Sequence, residues 1–297
     1  MIIKSMPLII LIVMTILIIP VSNLAQSESA ADSSIHSSIV QANGYAYLAE
    51  DKTIRQIRQE ALVNAKREAL EKCQTYVQSF TKLVNLDMIY DLVQTQSEGA
   101  VRILESKDHG ITEKNRYHIW IKAEVVYNVS KKPEVQNDID LSSTPAAPLN
   151  IKCWTDKPIY ESGDHINILL KSNKDFYTRI LYINTKGDIL QLLPNQHRTE
   201  TLFKGKKQIS IPDITDGFQI RVSPPFGKEK IVVYASTAPI GDIEKIPYGD
   251  ALFKPNQDMQ TISKESRIIG DTLKGDGELF GAEFYETAVN IKTVEEL

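Results

Sequence analysis

Ser79-Phe80-Thr81-Lys82 fits the Ser-x-x-Lys template of penicillin-binding enzymes, in which a lysine activates a serine nucleophile. The companion Ser-Asp-Asn and Lys-Thr-Gly motifs are absent, and Phe80 falls on the apolar side of a helix, so the pattern reads as chance. No Gly-x-Ser-x-Gly elbow, His-Glu-x-x-His zinc helix or Walker loop occurs. His36, His109, His118, His165 and His197 are scattered, without the spacing that brings ligands to one metal ion. Asp271 and Asp276 flank Lys274-Gly275, but the register of a calcium loop fails there. Gly275-Asp276-Gly277 with Gly281 falls short of a dinucleotide loop, since no strand precedes it and no helix follows. A buried thiol at Cys73 is favoured over a bridge to Cys153, although an oxidising compartment would permit one. No catalytic residue, metal or cofactor is expected, which leaves binding chemistry.

Composition narrows the class. Of 297 residues, 42% are hydrophobic and 24% charged, enough apolar material for two cores at ~150 residues per domain. That content and a net charge of −4 exclude disorder for most of the chain. Acids outnumber bases, 38 to 34, which excludes a nucleic-acid binder that relies on overall charge. Residues 1–25 read as a secretory signal: Lys4, an apolar run from Pro7 to Ile19, a break at Pro20 and small residues to Ala25. Cleavage is expected after Ala25, with Ala30 as the alternative cut. A retained anchor is the competing reading, but Pro7–Val21 is shorter than the ~20 residues a spanning helix wants. Residues 26–37 form a polar lead-in. Residues 130–148, with Pro133, Pro145 and Pro148, read as a linker between domains at 38–129 and 149–297.

The first domain opens with a strand from Ile39 to Leu48 and a helix from about Thr53 to Leu83, capped by Asp51 or Thr53. Ile54, Ile57, Ala61, Ala65, Ala69, Tyr76 and Phe80 share one side of that helix. The alanines make a thin stripe that lets the helix lie close to a sheet. Tyr117, Ile119, Ile121, Ala123 and Val125 alternate with His118, Trp120, Lys122 and Glu124, the period of a half-buried strand. Its partner runs from about Ser97 to Ser106. The resulting β-α-β-β order makes an α+β layer with one long helix. His118 and Trp120 face away from that core; they form either a docking surface or a patch covered by the linker or the second domain. Gly44-Tyr45-Ala46, the run Ala61–Leu70, Ser97-Glu98-Gly99 and the closing strand resemble a small domain of bacterial envelope proteins. That domain occurs in the N-terminal part of flagellar assembly protein T and in the lipoprotein-20 family. The resemblance covers about residues 39–128 and implies an envelope context without catalysis.

From residue 149 onward short strands alternate with turns. Ile151–Trp154, Ile166–Lys171, Tyr177–Asn184, Ile189–Leu193, Gln208–Ile211, Phe218–Val222 and Ile231–Ala235 are strand candidates, which argues an antiparallel sandwich. A short helix is expected near Asp258–Leu273 and a returning strand over Glu283–Thr293. Tyr160 with Ser162-Gly163-Asp164, Gly187-Asp188-Ile189, Leu193-Pro194-Asn195, Ile211-Pro212 and Pro224-Pro225-Phe226-Gly227 resemble the bacterial domain of unknown function numbered 4384. The resemblance spans about 150–237 and implies a fold and an envelope context, with no site to carry over.

If each strand of the sandwich runs its full height, alternate loops share an end. Lys174, Arg198, Lys204, Lys206 and Lys228, with Lys207 and Lys230 beside them, then form a basic end, while Glu161, Asp164, Asp188, Asp213 and Asp216 form an acidic one. Such polarity suits docking to an anionic surface. The expectation is an exported, non-enzymatic protein of the bacterial envelope, periplasmic or extracellular. It would bind another envelope protein or an anionic polymer or lipid surface, and no nucleic acid. A glycan-binding sandwich using Tyr177, Tyr182 or Tyr234, or a hydrolase with carboxylates brought together by the fold, are the alternatives.

Overall fold

A computed structural model of the protein describes residues 32–83, 88–92, 100–131, 141–267 and 281–295. The signal segment, Ser97-Glu98-Gly99, the Asp271–Gly277 loop and the middle of the linker lie outside the described residues, as do the side chains of Phe80 and Lys82. The N-terminal unit comprises β1 (Asp32–Tyr47), α1 (Ile54–Leu83), β2 (Met88–Leu92), β3 (Val101–Thr112) and β4 (Arg116–Lys131). The expected order is present for β1, α1, β3 and β4, with β2 as a further strand on β4.

Thr53 starts α1 with a reciprocal cap. Its hydroxyl oxygen accepts from the Gln56 N–H at 3.3 Å, and Gln56 Oε1 accepts from the Thr53 N–H at 2.8 Å. The buried row of α1 is Ile57, Ala61, Ala65, Ala69, Cys73 and Val77. This row steps by four, which puts Thr53 in line with Ile57 and turns Ile54 aside. Ile54 is therefore 51% exposed rather than part of the stripe, and Cys73 sits within it. Tyr76 lies at the margin, half-buried. The alanines bring the helix close to β1, where a Cβ on Gly44 would stand 1.8 Å from the Ala61 carbonyl oxygen.

The C-terminal unit follows a 3-10 turn at Leu141–Ser143. It contains β5 (Ile151–Thr155), β6 (Ile159–Glu161), β7 (Ile168–Ser172), β8 (Phe176–Ile183), β9 (Ile189–Leu193), β10 (Leu202–Phe203) and β11 (Gln208–Ile211). It continues with β12 (Lys228–Ser236), β13 (Lys245–Tyr248), β14 (Leu252–Pro255), α2 (Met259–Ser266) and β15 (Ala282–Val294). Phe218–Val222 is not a regular strand. It is tied to residues 163–166 by an isolated bridge and by backbone bonds such as Ile166 N–H to the Ile220 carbonyl at 2.8 Å. Asp258 caps α2, its carboxylate accepting from the Thr261 N–H at 2.7 Å.

The molecule is α+β, mostly antiparallel, with two helices among the described residues. β5, β7 and β11 form a 3-stranded sheet that packs over the larger sheet in a sandwich, across Tyr160, Ile168, Leu170, Ile180, Ile231 and Val289. On the other face of the larger sheet α2 sets Ile262 against Leu181, Val232, Tyr234 and Phe284. Buried Arg179 ties this layer down, donating to Ser266 Oγ at 2.6 Å and to the Gly241 carbonyl at 2.9 Å.

The larger sheet is 12-stranded and runs through both units, because β1 pairs with β4 on one side and with β15 on the other. Polar staples flank this seam. Lys174 Nζ lies 2.7 Å from Glu283 Oε1 on β15 and 3.2 Å from the Tyr76 hydroxyl on α1, while the Leu149 N–H donates to Glu283 Oε2 at 2.9 Å. On the opposite face Glu124 accepts from the Ser37 hydroxyl at 2.6 Å and stands 2.6 Å from Arg267 Nε. The end of the expected linker is packed chain. Ala147, Pro148 and Leu149 are buried, and Asn173 Nδ2 donates to the Thr144, Ala147 and Pro148 carbonyls.

Candidate functional site

The basic residues expected at one end of the sandwich do not gather there. Lys174 is half-buried against Glu283, and burial draws both groups toward their neutral forms. Lys204 pairs with Asp175 at 2.7 Å, and the Lys206 N–H reaches the Ser172 carbonyl, so these residues and the neighbouring Lys207 do cluster beside the start of β8. Arg198 pairs at 2.8 Å with Asp216, a residue assigned to the acidic end. Lys228 opens β12, whose other end pairs with Tyr177; at ~3.3 Å per residue that is roughly 25 Å away. The physical reason is that Phe218–Val222 does not cross the sandwich as a strand. β11 runs from beside Lys171 to beside Ile168, and the chain then stays at that end until Lys228 opens β12 next to Ile183, so the expected alternation of loops is broken there. Asp164 and Asp188 are paired in turn with Lys157 and Lys254.

His118 and Trp120 lie where the alternation of β4 puts them, on the face of the sheet opposite α1. Both are half-buried, by neighbours on their own sheet. The His118 ring stacks on Tyr45 of β1 and on His109 of β3, each at 4.5 Å between centroids. His118 Nε2 pairs with Asn43 Oδ1 at 2.9 Å. Burial, with the nearby His109 and Arg116 charges, lowers the His118 pKa and favours the neutral ring. Arg116 caps the stack 4.3 Å over Tyr45, and Lys107 Nζ stands 4.9 Å over the Trp120 ring. Tyr47, paired with Arg116 in register, is 71% exposed at the end of this row. The arrangement is a fixed row of rings with cations between them.

A second feature was not anticipated. A groove of about 460 Å³ opens at the end of the sandwich core, between the large sheet, the Gln219–Pro225 segment and the β13–β14 turn. Tyr182 and Glu229 form part of its wall. Glu229 is 4% exposed, and its Oε2 has no hydrogen-bond partner. Desolvation raises its pKa, against the lowering effect of the Tyr182 and Thr293 hydroxyls. The Tyr182 phenol is itself pushed up by burial and by that carboxylate. A signal for this site exists in the sequence. Glu229 shares the inward parity of Ile231, Val233 and Ala235, where an acid has no packing role.

Of the tyrosines considered for a glycan platform, Tyr234 is buried under α2, Tyr177 is half-buried and Tyr182 reaches the groove. Ser79 of the Ser-x-x-Lys pattern donates its hydroxyl proton to the Thr75 carbonyl at 2.8 Å, within its own helix. Cys73 and Cys153 form no disulfide, and burial pushes the Cys153 thiol up to about 12. Among the described residues no three His, Cys, Asp or Glu side chains converge as metal ligands.

No curated protein matches the chain. Residues 159–239, which carry Tyr182, Gln219, Arg221 and Glu229 of the groove, match the family model described as a domain of unknown function, DUF4384.

Proposed function

We propose that the protein is an exported, non-enzymatic component of the bacterial envelope that docks a second envelope protein on the β1–β4–β3 face. The observation that carries this is the row Tyr47, Tyr45, His118 and Trp120 with Arg116 and Lys107 laid over the rings. Aromatic and arginine side chains dominate binding hot spots, and here neighbouring contacts already restrict their rotamers, so little entropy is lost on docking. The two cations suit a partner strand or loop that offers carboxylates between apolar side chains. The signal-like N-terminus supports export. The resemblance of residues 39–128 to the N-terminal domain of flagellar assembly protein T and to the lipoprotein-20 family supports the envelope context.

The test places a photo-crosslinking amino acid at Tyr47 and, as a control, at Ile214, which is 99% exposed in the C-terminal unit. Irradiation in cells is expected to give one protease-sensitive adduct from position 47 and none from 214. The adduct should disappear when Lys107→Glu and Trp120→Ala are added. Equal labelling from both positions, or an adduct that protease does not digest, would reject a protein partner at this face.

A further inference from the structure

We infer that the groove at the end of the sandwich binds a neutral oligosaccharide. The groove goes beyond the docking face and lies on the other unit, so either reading can fail alone. Its volume, about 460 Å³, lies within the ~300–1,000 Å³ typical of sites for small ligands. Glu229 supplies the anchor. It lies in the wall with one carboxylate oxygen buried and unpartnered, and leaving a buried acceptor without its hydrogen bond is unfavourable. A ligand hydroxyl donated to Oε2 would make that bond.

The rest of the lining selects among donors. Desolvation disfavours charge at Glu229, so a hydroxyl suits it better than an ammonium, which needs the carboxylate ionised. One cation, Arg221, stands against two acids, Glu229 and Asp250, so an anionic ligand finds no excess of positive charge. Leu190 and Ile220 give apolar surface for the C–H face of a sugar ring, and Gln219 offers a planar amide with both donor and acceptor. Tyr248, 49% exposed at the rim, presents an aromatic ring to a second sugar. Alternating apolar faces and hydroxyls are what an uncharged saccharide carries.

Calorimetric titration of the full chain with the tetrasaccharides of β-1,4-N-acetylglucosamine, β-1,4-glucose and α-1,4-glucose tests this. At least one is expected to bind saturably. Glu229→Gln should weaken it about tenfold, the scale of one lost hydrogen bond. Tyr248→Ala, at an exposed site where folding is not at stake, should weaken it several-fold. Trp120→Ala on the docking face should leave it unchanged. The inference is overturned if none of the three sugars binds, or if neither groove variant weakens binding. It is also overturned if tetralysine binds in their place and Glu229→Gln abolishes that binding.

Discussion

His36 and Glu229 answer burial in opposite directions, the imidazole down and the carboxyl up, each toward its neutral form. His36 is enclosed between Tyr127, 5.8 Å away ring to ring, and Tyr285, 4.7 Å away edge-on. Burial lowers its pKa from 6.5 to about 4, opposed by a hydrogen bond to the Leu149 backbone. The unfolded chain therefore takes up a proton below pH 6.5 that the folded chain refuses. His36 contributes full stability above that pH and loses it progressively as pH falls toward about 4. The loss amounts to ~3 kcal/mol at one pKa unit per 1.36 kcal/mol. Urea unfolding at pH 7.5 and 4.5 should show a drop that His36→Phe reduces by ~2–3 kcal/mol. Equal drops in both proteins would show that other groups carry the acid sensitivity.

At the scale of the element, α1 and its sheet are matched by the smallness of what lies between them. Two of the stripe's alanines, Ala61 and Ala65, meet Gly44, and a Cβ there would stand 2.5 Å from the Ala65 backbone nitrogen and still closer to the Ala61 carbonyl. Both contacts are backbone atoms of a helix, which cannot step aside singly. Gly44→Ala should force the helix off the sheet and cost ~3 kcal/mol, the upper range for overpacking. Its melting temperature should fall by many degrees relative to a control such as Ala49→Gly outside the contact. An unchanged melting temperature would mean that α1 does not approach β1 this closely. The seam beneath α1 has the same character, since Tyr76 turns out of the buried row to meet Lys174 of the other unit.

For the molecule as a whole, the pairing of β1 with β15 decides how the two units behave. A sheet hydrogen-bonded across the seam, with Lys174, Glu283 and Tyr76 stapling one face and Glu124 with Arg267 the other, leaves no surface along which the units separate cheaply. Calorimetry should record one cooperative unfolding transition for the full chain. Lys174→Met leaves the Glu283 carboxylate buried without its counter-charge and should cost ~3 kcal/mol. It should lower that single transition rather than split it, and adding Glu283→Gln should recover part of the loss. Two resolved transitions in the wild-type chain would show that the seam contributes little.

Periodicity alone determined the helix at Ile54–Leu83, most strands of the sandwich and the outward face of His118 and Trp120, while the cap was narrowed to Asp51 or Thr53, of which the structure uses Thr53. These are local properties: a side chain's face is set by a repeat of 3.6 or 2 residues, and a cap by its immediate neighbours. The matched span at 159–239 was legible for a similar reason, because its turn residues recur in order. Which loops share an end was not legible. Lys228 and Lys174 stand apart because Phe218–Val222 is held by residues 163–166, far earlier in the chain, instead of crossing the sandwich as a strand. The groove was hidden for the same cause: Tyr182, Gln219, Glu229 and Tyr248 come from four separate segments. The continuity of the sheet rests on β1 meeting β15, the first and last described strands. Local pattern names the face a residue presents; only tertiary pairing names what that face meets.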